Sequence, residues 1–456
     1  MAGIGFELRK LLRKDSLLGL VQAYAYAGVI GSGPWVLSIV GILVIGLLSV
    51  SVVVPAFLVT QFQVSVTYLI ACSLIFTGPA QLAFTRFISD RLFEKRSELV
   101  LSNLNGLLMA VFLAGGLLGL ALAFGPFSGL SVVYRLLMLA GFVLLCGVWI
   151  ATIFLSGLKQ YKAIVMLYAV GYGVVIGAAL ALRGFGLEGL LAGFVLGHFV
   201  LFVGMWGLTF YHYRPPRSIS FEFARRQLIY PSLMLIGLLY NLGIWADKFM
   251  FWYFSDTSEP VIGPLRASVI YDLPVFMAYL SVIPGMAVFL VRIETDFAEY
   301  YERFYDAVRS GGSLEYIEGM RNEMTHAIRQ GLAEIAKIQT LAVLVTLVAG
   351  PTLLRALGIS ELYLPLMHIQ TVGASLQVIL LALLNVFFYL DQRRIIVWIC
   401  AAFLVFNLAF TAITLRLGAP YYGYGYALAV LLALAAGLYV LDRRLWRLEY
   451  ETFMLQ

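Results

Sequence analysis

Charge is scarce in this chain. Of its 456 residues only 12% are Asp, Glu, Lys or Arg, while 62% are hydrophobic, and the mean hydropathy is +0.92. Soluble domains carry about 25% charged residues, so this much apolar surface exceeds what one water-soluble core could hide. Cysteine and histidine are scarcer still. Cys72, Cys146 and Cys400 fall in separate apolar runs, without C-x-x-C or His spacing, so they read as reduced core residues and argue against a disulfide framework or a metal centre. The four histidines are scattered, and the two inside apolar runs, His198 and His368, read as packed groups. The chain also lacks a Walker motif, a segment of soluble-domain size, and an acid pair in a large loop that could hold a nucleotide-sugar through a metal. That leaves an embedded glycosyltransferase without a site. No metal and no cofactor are expected. Period-2 alternation is absent too, which excludes an outer-membrane barrel.

What is present is a series of long, continuously apolar runs. A spanning helix needs about 20 such residues, and the runs predict an all-α polytopic membrane protein with about twelve transmembrane helices. They lie near 17–47, 62–88, 102–124, 133–157, 162–182, 186–211, 227–254, 267–292, 333–356, 363–389, 394–415 and 421–441. The first run is too long for a signal-peptide core and has no A-x-A-like site after it, so it is expected to stay attached. Lys and Arg cluster at alternate connectors, as in Arg9 to Lys14, Arg86 to Arg96, Arg214 to Arg226 and Arg443 to Arg447. The other connectors hold single arginines, Arg135, Arg183, Arg266, Arg355 and Arg416. This bias predicts both termini in the cytoplasm. The net charge of +6 then reflects topology and contact with anionic membrane lipid, and calls for no nucleic acid.

Two stretches repeat. Residues 78–94 read "GPAQLAFTRFISDRLFE", with Arg86, Asp90 and Glu94 at helical spacing; residues 284–300 read "PGMAVFLVRIETDFAEY", with Arg292, Asp296 and Glu299. A second echo pairs Gly33 and Trp35 of "GSGPW" with Gly243 and Trp245 of "NLGIW" at nearly the same offset. Six spans per repeat preserve direction, so the reading is two six-helix lobes as parallel repeats around a central cavity. The expected organisation is a basic amphipathic segment over 1–16, a first lobe over 17–212, a cytoplasmic connector over 213–226, a second lobe over 227–441 and a cytoplasmic tail over 442–456. The second lobe carries an insertion over 294–330, read as two short cytoplasmic helices around Gly311-Gly312. That insertion is a surface for a cytosolic partner or a plain solvated connector.

The run "MAGIGFELRKLL", followed by "AYAYAGVIGSGPWVLSIVGIL" and later "NLGIWADKFMFW", closely resembles the PelG family, the inner-membrane exporter component of bacterial Pel exopolysaccharide systems. The resemblance covers essentially the whole chain. It implies the multidrug/oligosaccharidyl-lipid/polysaccharide flippase fold and movement of an N-acetylgalactosamine-rich polysaccharide across the bacterial inner membrane. It also implies partners, namely a cytosolic glycosyltransferase and other inner-membrane Pel components, including a cyclic di-GMP receptor.

Several residues suit such a path. Gly31, Gly33 and Pro34 interrupt the first span, and freed backbone groups at membrane depth need protein or water. In the seventh span Asn241, Asp247 and Lys248 break an apolar helix, where ionisable groups are expensive. Asp247 and Lys248 are neighbours pointing about 100° apart, and so are expected to be poor partners for each other. Tyr24, Tyr26, Trp35, Tyr240, Trp245, Tyr271 and Tyr279 could stack on sugar rings, or serve as interface belts and ordinary packing. The charge ladders either pair locally, Arg86 with Asp90 and Arg292 with Asp296, or cross-pair between the halves as a cytoplasmic gate. The alternatives of the same fold are a lipid-linked oligosaccharide flippase and a cation-coupled multidrug exporter. The absence of Asp and Glu between Leu17 and Val50 weakens a coupling site in the first span.

Overall fold

The computed structural model describes residues 17–49, 57–158, 160–213, 217–254, 256–356, 360–448 and 450. The N-terminal segment over 1–16 and residues 451–456 of the tail lie outside them. The described chain is a set of long helices: α1 Leu17–Ser49, α2 Phe57–Phe93, α3 Glu98–Phe124, α4 Val132–Gly157, α5 Tyr161–Leu182, α6 Gly186–His212 and α7 Pro231–Tyr253. There follow a small antiparallel hairpin, β1 Glu259–Ile262 and β2 Leu265–Ala267, and then α8 Val269–Leu280, α9 Ile283–Val291, α10 Ala298–Arg309, α11 Leu314–Ala356, α12 Leu364–Tyr389, α13 Arg393–Leu417 and α14 Tyr424–Trp446. Among the described residues nine helices are long and apolar enough to cross a membrane, or ten if Val269–Leu280 and Ile283–Arg309, bent by 41°, form one crossing. Lys162–His212 counts once in that figure, although it comprises α5 and α6, and α1 enters only as the shorter apolar piece Leu37–Gly46. The described residues therefore hold fewer such helices than the twelve expected.

The helices turn apolar side chains outward, as a membrane demands. On α3, Leu113, Leu117, Leu120 and Phe124 recur at helical spacing and are all exposed, the pattern of a lipid-facing stripe. Cys72, expected in the core, also faces outward, whereas Cys146 and Cys400 are buried.

The chain divides into two compact units, which do not coincide with the two sequence halves. One comprises 33–245 and 252–268, and the other 1–32, 246–251 and 269–456. The first division falls inside α1, between Ser32 and Gly33, at the residues expected to break the span. The helix is nevertheless continuous from Leu17 to Ser49, because neighbouring groups in a bundle can re-satisfy the backbone around a helical proline. The side chains of residues 32–36, Pro34 and Trp35 included, lie outside the described residues.

In the unit built on 33–245, close helix contact depends on glycine. A Cβ on Gly78 would lie 2.7 Å from the Gly237 carbonyl oxygen, and one on Gly237 would lie 2.1 Å from that of Gly78. The Gly-Pro pair read as a breaker is thus a crossing point of α2 and α7, and α2 runs on through Pro79. Small residues permit such backbone approach in membranes. The hairpin packs on α2: Gln61 Nε2 donates to the Val261 carbonyl at 2.9 Å, Tyr68 Oη donates to that of Arg266 at 2.8 Å, and the Tyr68 and Trp252 rings stack at 4.5 Å.

In the other unit the inner half of α1 lies on α9. Gly28 faces Ala287, and a Cβ on Gly31 would meet Leu290 Cδ1 at 2.7 Å. After α9 the helix widens into a π-helical turn, Arg292–Phe297, before α10. The expected pair of short helices differs in its second member. Gly311, at φ +68°, closes the turn after α10, but the next helix is the first part of α11, which runs 43 residues without interruption to Ala356.

Candidate functional site

A buried polar cluster is built around Asp247 and Lys248 on α7. Asp247 is fully buried and Lys248 only 5% exposed. Contrary to the expectation that they would avoid each other, they form an ion pair. Lys248 Nζ lies 3.1 Å from Asp247 Oδ1 and 3.0 Å from Oδ2. The helical offset of about 100° is bridged by the flexible four-carbon lysine stem, and a charge buried without water must find its opposite.

Four more helices complete the cluster. From α8, Tyr271 Oη donates to Asp247 Oδ2 at 2.6 Å, and it accepts from Gln370 Nε2 of α12 at 2.6 Å. From α13, Asn407 Nδ2 donates to Asp247 Oδ1 at 3.2 Å, and its own carbonyl accepts from Thr411 at 3.0 Å. Lys248 also donates to the Tyr279 hydroxyl of α8, and its ammonium sits 4.4 Å from the centre of the Tyr426 ring on α14. Tyr279 and Tyr426 both donate to Gln377 Oε1, at 2.8 and 2.5 Å. The outcome is a neutral, densely hydrogen-bonded core that holds one positive and one negative charge.

Of the residues picked from the sequence, Asp247, Lys248, Tyr271 and Tyr279 thus come together. Gln370, Gln377, Asn407, Thr411 and Tyr426 were missed. A signal existed, since Gln370 and Gln377 are two turns apart on one face of an apolar helix, and Asn407 and Thr411 are one turn apart on another. The remaining aromatics sit elsewhere. Trp245 packs at 6.2 Å from Trp252, and Tyr26 and Tyr240 are partly buried on α1 and α7.

Each charge ladder makes its local pair and also reaches a distant segment of the chain. Arg86 Nε lies 3.1 Å from Asp90 Oδ1, and Asp90 also accepts from Tyr230 Oη at 2.5 Å. Glu94 has left the shared face, because α2 ends at Phe93, and pairs with Arg91 at 2.8 Å. The second ladder is larger. Arg292 Nη1 binds Asp296 at 2.6 Å, its Nε binds Glu334 of α11, and it donates to the Tyr24 hydroxyl of α1. Just beyond, buried Glu294 accepts from Asn385 and Tyr389, each at 3.0 Å. Elsewhere His198 is packed as expected, with Nδ1 2.9 Å from the Phe194 carbonyl oxygen and Nε2 3.3 Å from Tyr172 Oη.

Solved structures share this architecture. An outward-facing multidrug resistance MATE family transporter of the MOP superfamily is 15% identical, with 93% of this chain and 96% of that chain covered and a TM-score of 0.62. A MOP superfamily transporter from Pyrococcus furiosus, described as having a binding pocket of reverse polarity, is 14% identical over 93% and 96%, with a TM-score of 0.64. A MATE structure in the bent conformation is 14% identical over 97% and 96%, with a TM-score of 0.64. These likenesses show that the chain shares the all-α fold of these transporters. No curated protein matches by sequence. A family model does: PelG, described as "Putative exopolysaccharide Exporter (EPS-E)", matches residues 1–453. With the match running almost end to end on a transporter fold, the chain belongs to the PelG family of exopolysaccharide exporters.

Proposed function

We propose that this protein carries a Pel-type, N-acetylgalactosamine-rich exopolysaccharide across the bacterial cytoplasmic membrane, and performs no glycosyl transfer itself. The observation that supports this reading is the family match over residues 1–453. The polymer reaches it from a cytosolic glycosyltransferase, and it works beside other inner-membrane components, a cyclic di-GMP receptor among them. Both termini face the cytoplasm, in line with the alternation of Lys and Arg along the connectors. Tyr240 and Trp245 on α7 are aromatic residues we assign to the polymer path, where weak stacking contacts suit a sliding chain.

The test is a deletion strain in which the polymer is located and its sugars identified. N-acetylgalactosamine-rich polymer retained inside the cell supports the reading. Retention of a lipid-linked oligosaccharide instead would favour a flippase of the same fold. Purified protein given nucleotide-sugars should make no polymer, and synthesis by this chain alone would overturn the transporter reading.

A further inference from the structure

The Lys248 ammonium is enclosed by polar and aromatic groups on several sides. Three oxygens and two aromatic rings surround the ammonium: Asp247 Oδ1 at 3.1 Å and Oδ2 at 3.0 Å, the Tyr279 hydroxyl, and the rings of Tyr426 and Tyr279, with centres at 4.4 and 5.5 Å. The carboxylate is held in place from its other side by the donors Tyr271 Oη and Asn407 Nδ2, which aim its remaining lone pairs at the ammonium. The groups facing the pair are Tyr271 and Tyr279 from α8, Gln370 and Gln377 from α12, Asn407 and Thr411 from α13, and Tyr426 from α14. The charges in this cluster are Asp247 and Lys248 themselves.

We infer that Lys248 is a tethered counter-cation, occupying a monovalent-cation site that would otherwise take up a sodium ion or a proton. A group on the same chain competes at an effective concentration of order millimolar or above without leaving the site. Protonating Asp247 would strand the buried ammonium without its partner, which is strongly unfavourable. The carboxylate is therefore closed to exchangeable cations, and polymer export draws no energy from an ion gradient at this position. The inference holds whatever polymer is carried.

The test uses full-length wild-type protein, K248M and D247N/K248M, purified in detergent without sodium. Thermal unfolding is followed as NaCl replaces choline chloride at constant ionic strength, and separately as pH falls. The wild type should show no sodium-specific rise in midpoint. K248M should gain a rise of several degrees over the double variant, with sodium if a metal ion fills the site and with acid if a proton does. K248M behaving like the double variant in both arms would overturn the inference. So would a sodium-specific rise in the wild type that the double variant lacks; that comparison decides alone if K248M does not fold, since the double variant leaves no unpaired charge.

Discussion

The two compact units bury polar atoms by different chemistry. In the unit built on 33–245 four interior pairs are neutral: Ser65 with Tyr134 at 2.8 Å, Trp149 with Ser73 at 2.9 Å, Thr152 with Tyr168 at 2.9 Å, and Tyr172 with His198 at 3.3 Å. In the unit that holds 269–456, the interior is organised around a full charge pair and its ring of tyrosines and amides. Neutral pairs can be lost singly, because each atom left behind is only a dipole. A buried ion pair fails as a whole, because either partner alone is an uncompensated charge.

This contrast sets the order of expected effects. The largest belongs to Asp247 and Lys248. D247N and K248M should each lower the unfolding free energy by about 3–5 kcal/mol, the usual result of breaking one side of a buried pair, while D247N/K248M should recover much of that loss. Denaturant unfolding in detergent, closed as a double-mutant cycle, measures the coupling. Additive single effects would mean that the two charges are not partners.

Tyr271→Phe comes next. It keeps the ring stacked on Phe251, 3.7 Å away between centroids, and removes only the hydroxyl that donates to Asp247. A hydrogen bond to a charged group contributes about 1.5–3 kcal/mol, so the same unfolding assay should register a loss of that size. Tyr134→Phe is the matching change in the neutral interior, and hydrogen bonds between membrane helices average about 0.6 kcal/mol. If both tyrosines gave equal losses, the distinction between a charged and a neutral interior would have no energetic content.

What could be read in advance followed the same division. Composition and apolar runs located most of the helices within a few residues, since both are local properties of the chain. The Asp247–Lys248 pair could not be read, because helical spacing fixes where a side chain starts and not where a long lysine ends. The unit boundaries were hidden for a similar reason. Gly31 looks like a helix breaker in sequence, but with Gly28 it forms the flat face by which α1 lies on Ala287 and Leu290. The hairpin over Glu259–Ala267 is too short to leave a periodic signal. The charge ladders were legible as ladders, whereas Glu334 and Tyr24 join the second one from distant segments that no spacing rule connects.

The smallest expected effect lies at the first ladder. Arg86 is 46% exposed and its partner Asp90 27% exposed, so water and salt screen them, and an i,i+4 pair of this kind contributes about 0.3–0.5 kcal/mol. Arg86→Ala should therefore change unfolding by that little, with the difference vanishing at high ionic strength. Arg292→Ala should do more, because Arg292 also holds Glu334 and Tyr24 and is 30% exposed; its loss frees the inner half of α1 from α9. Limited proteolysis near residues 17–32 supplies the readout. Faster cleavage in Arg292→Ala than in Arg86→Ala would make the second ladder an anchor for α1, and equal cleavage would reduce both ladders to ordinary helix-end charges.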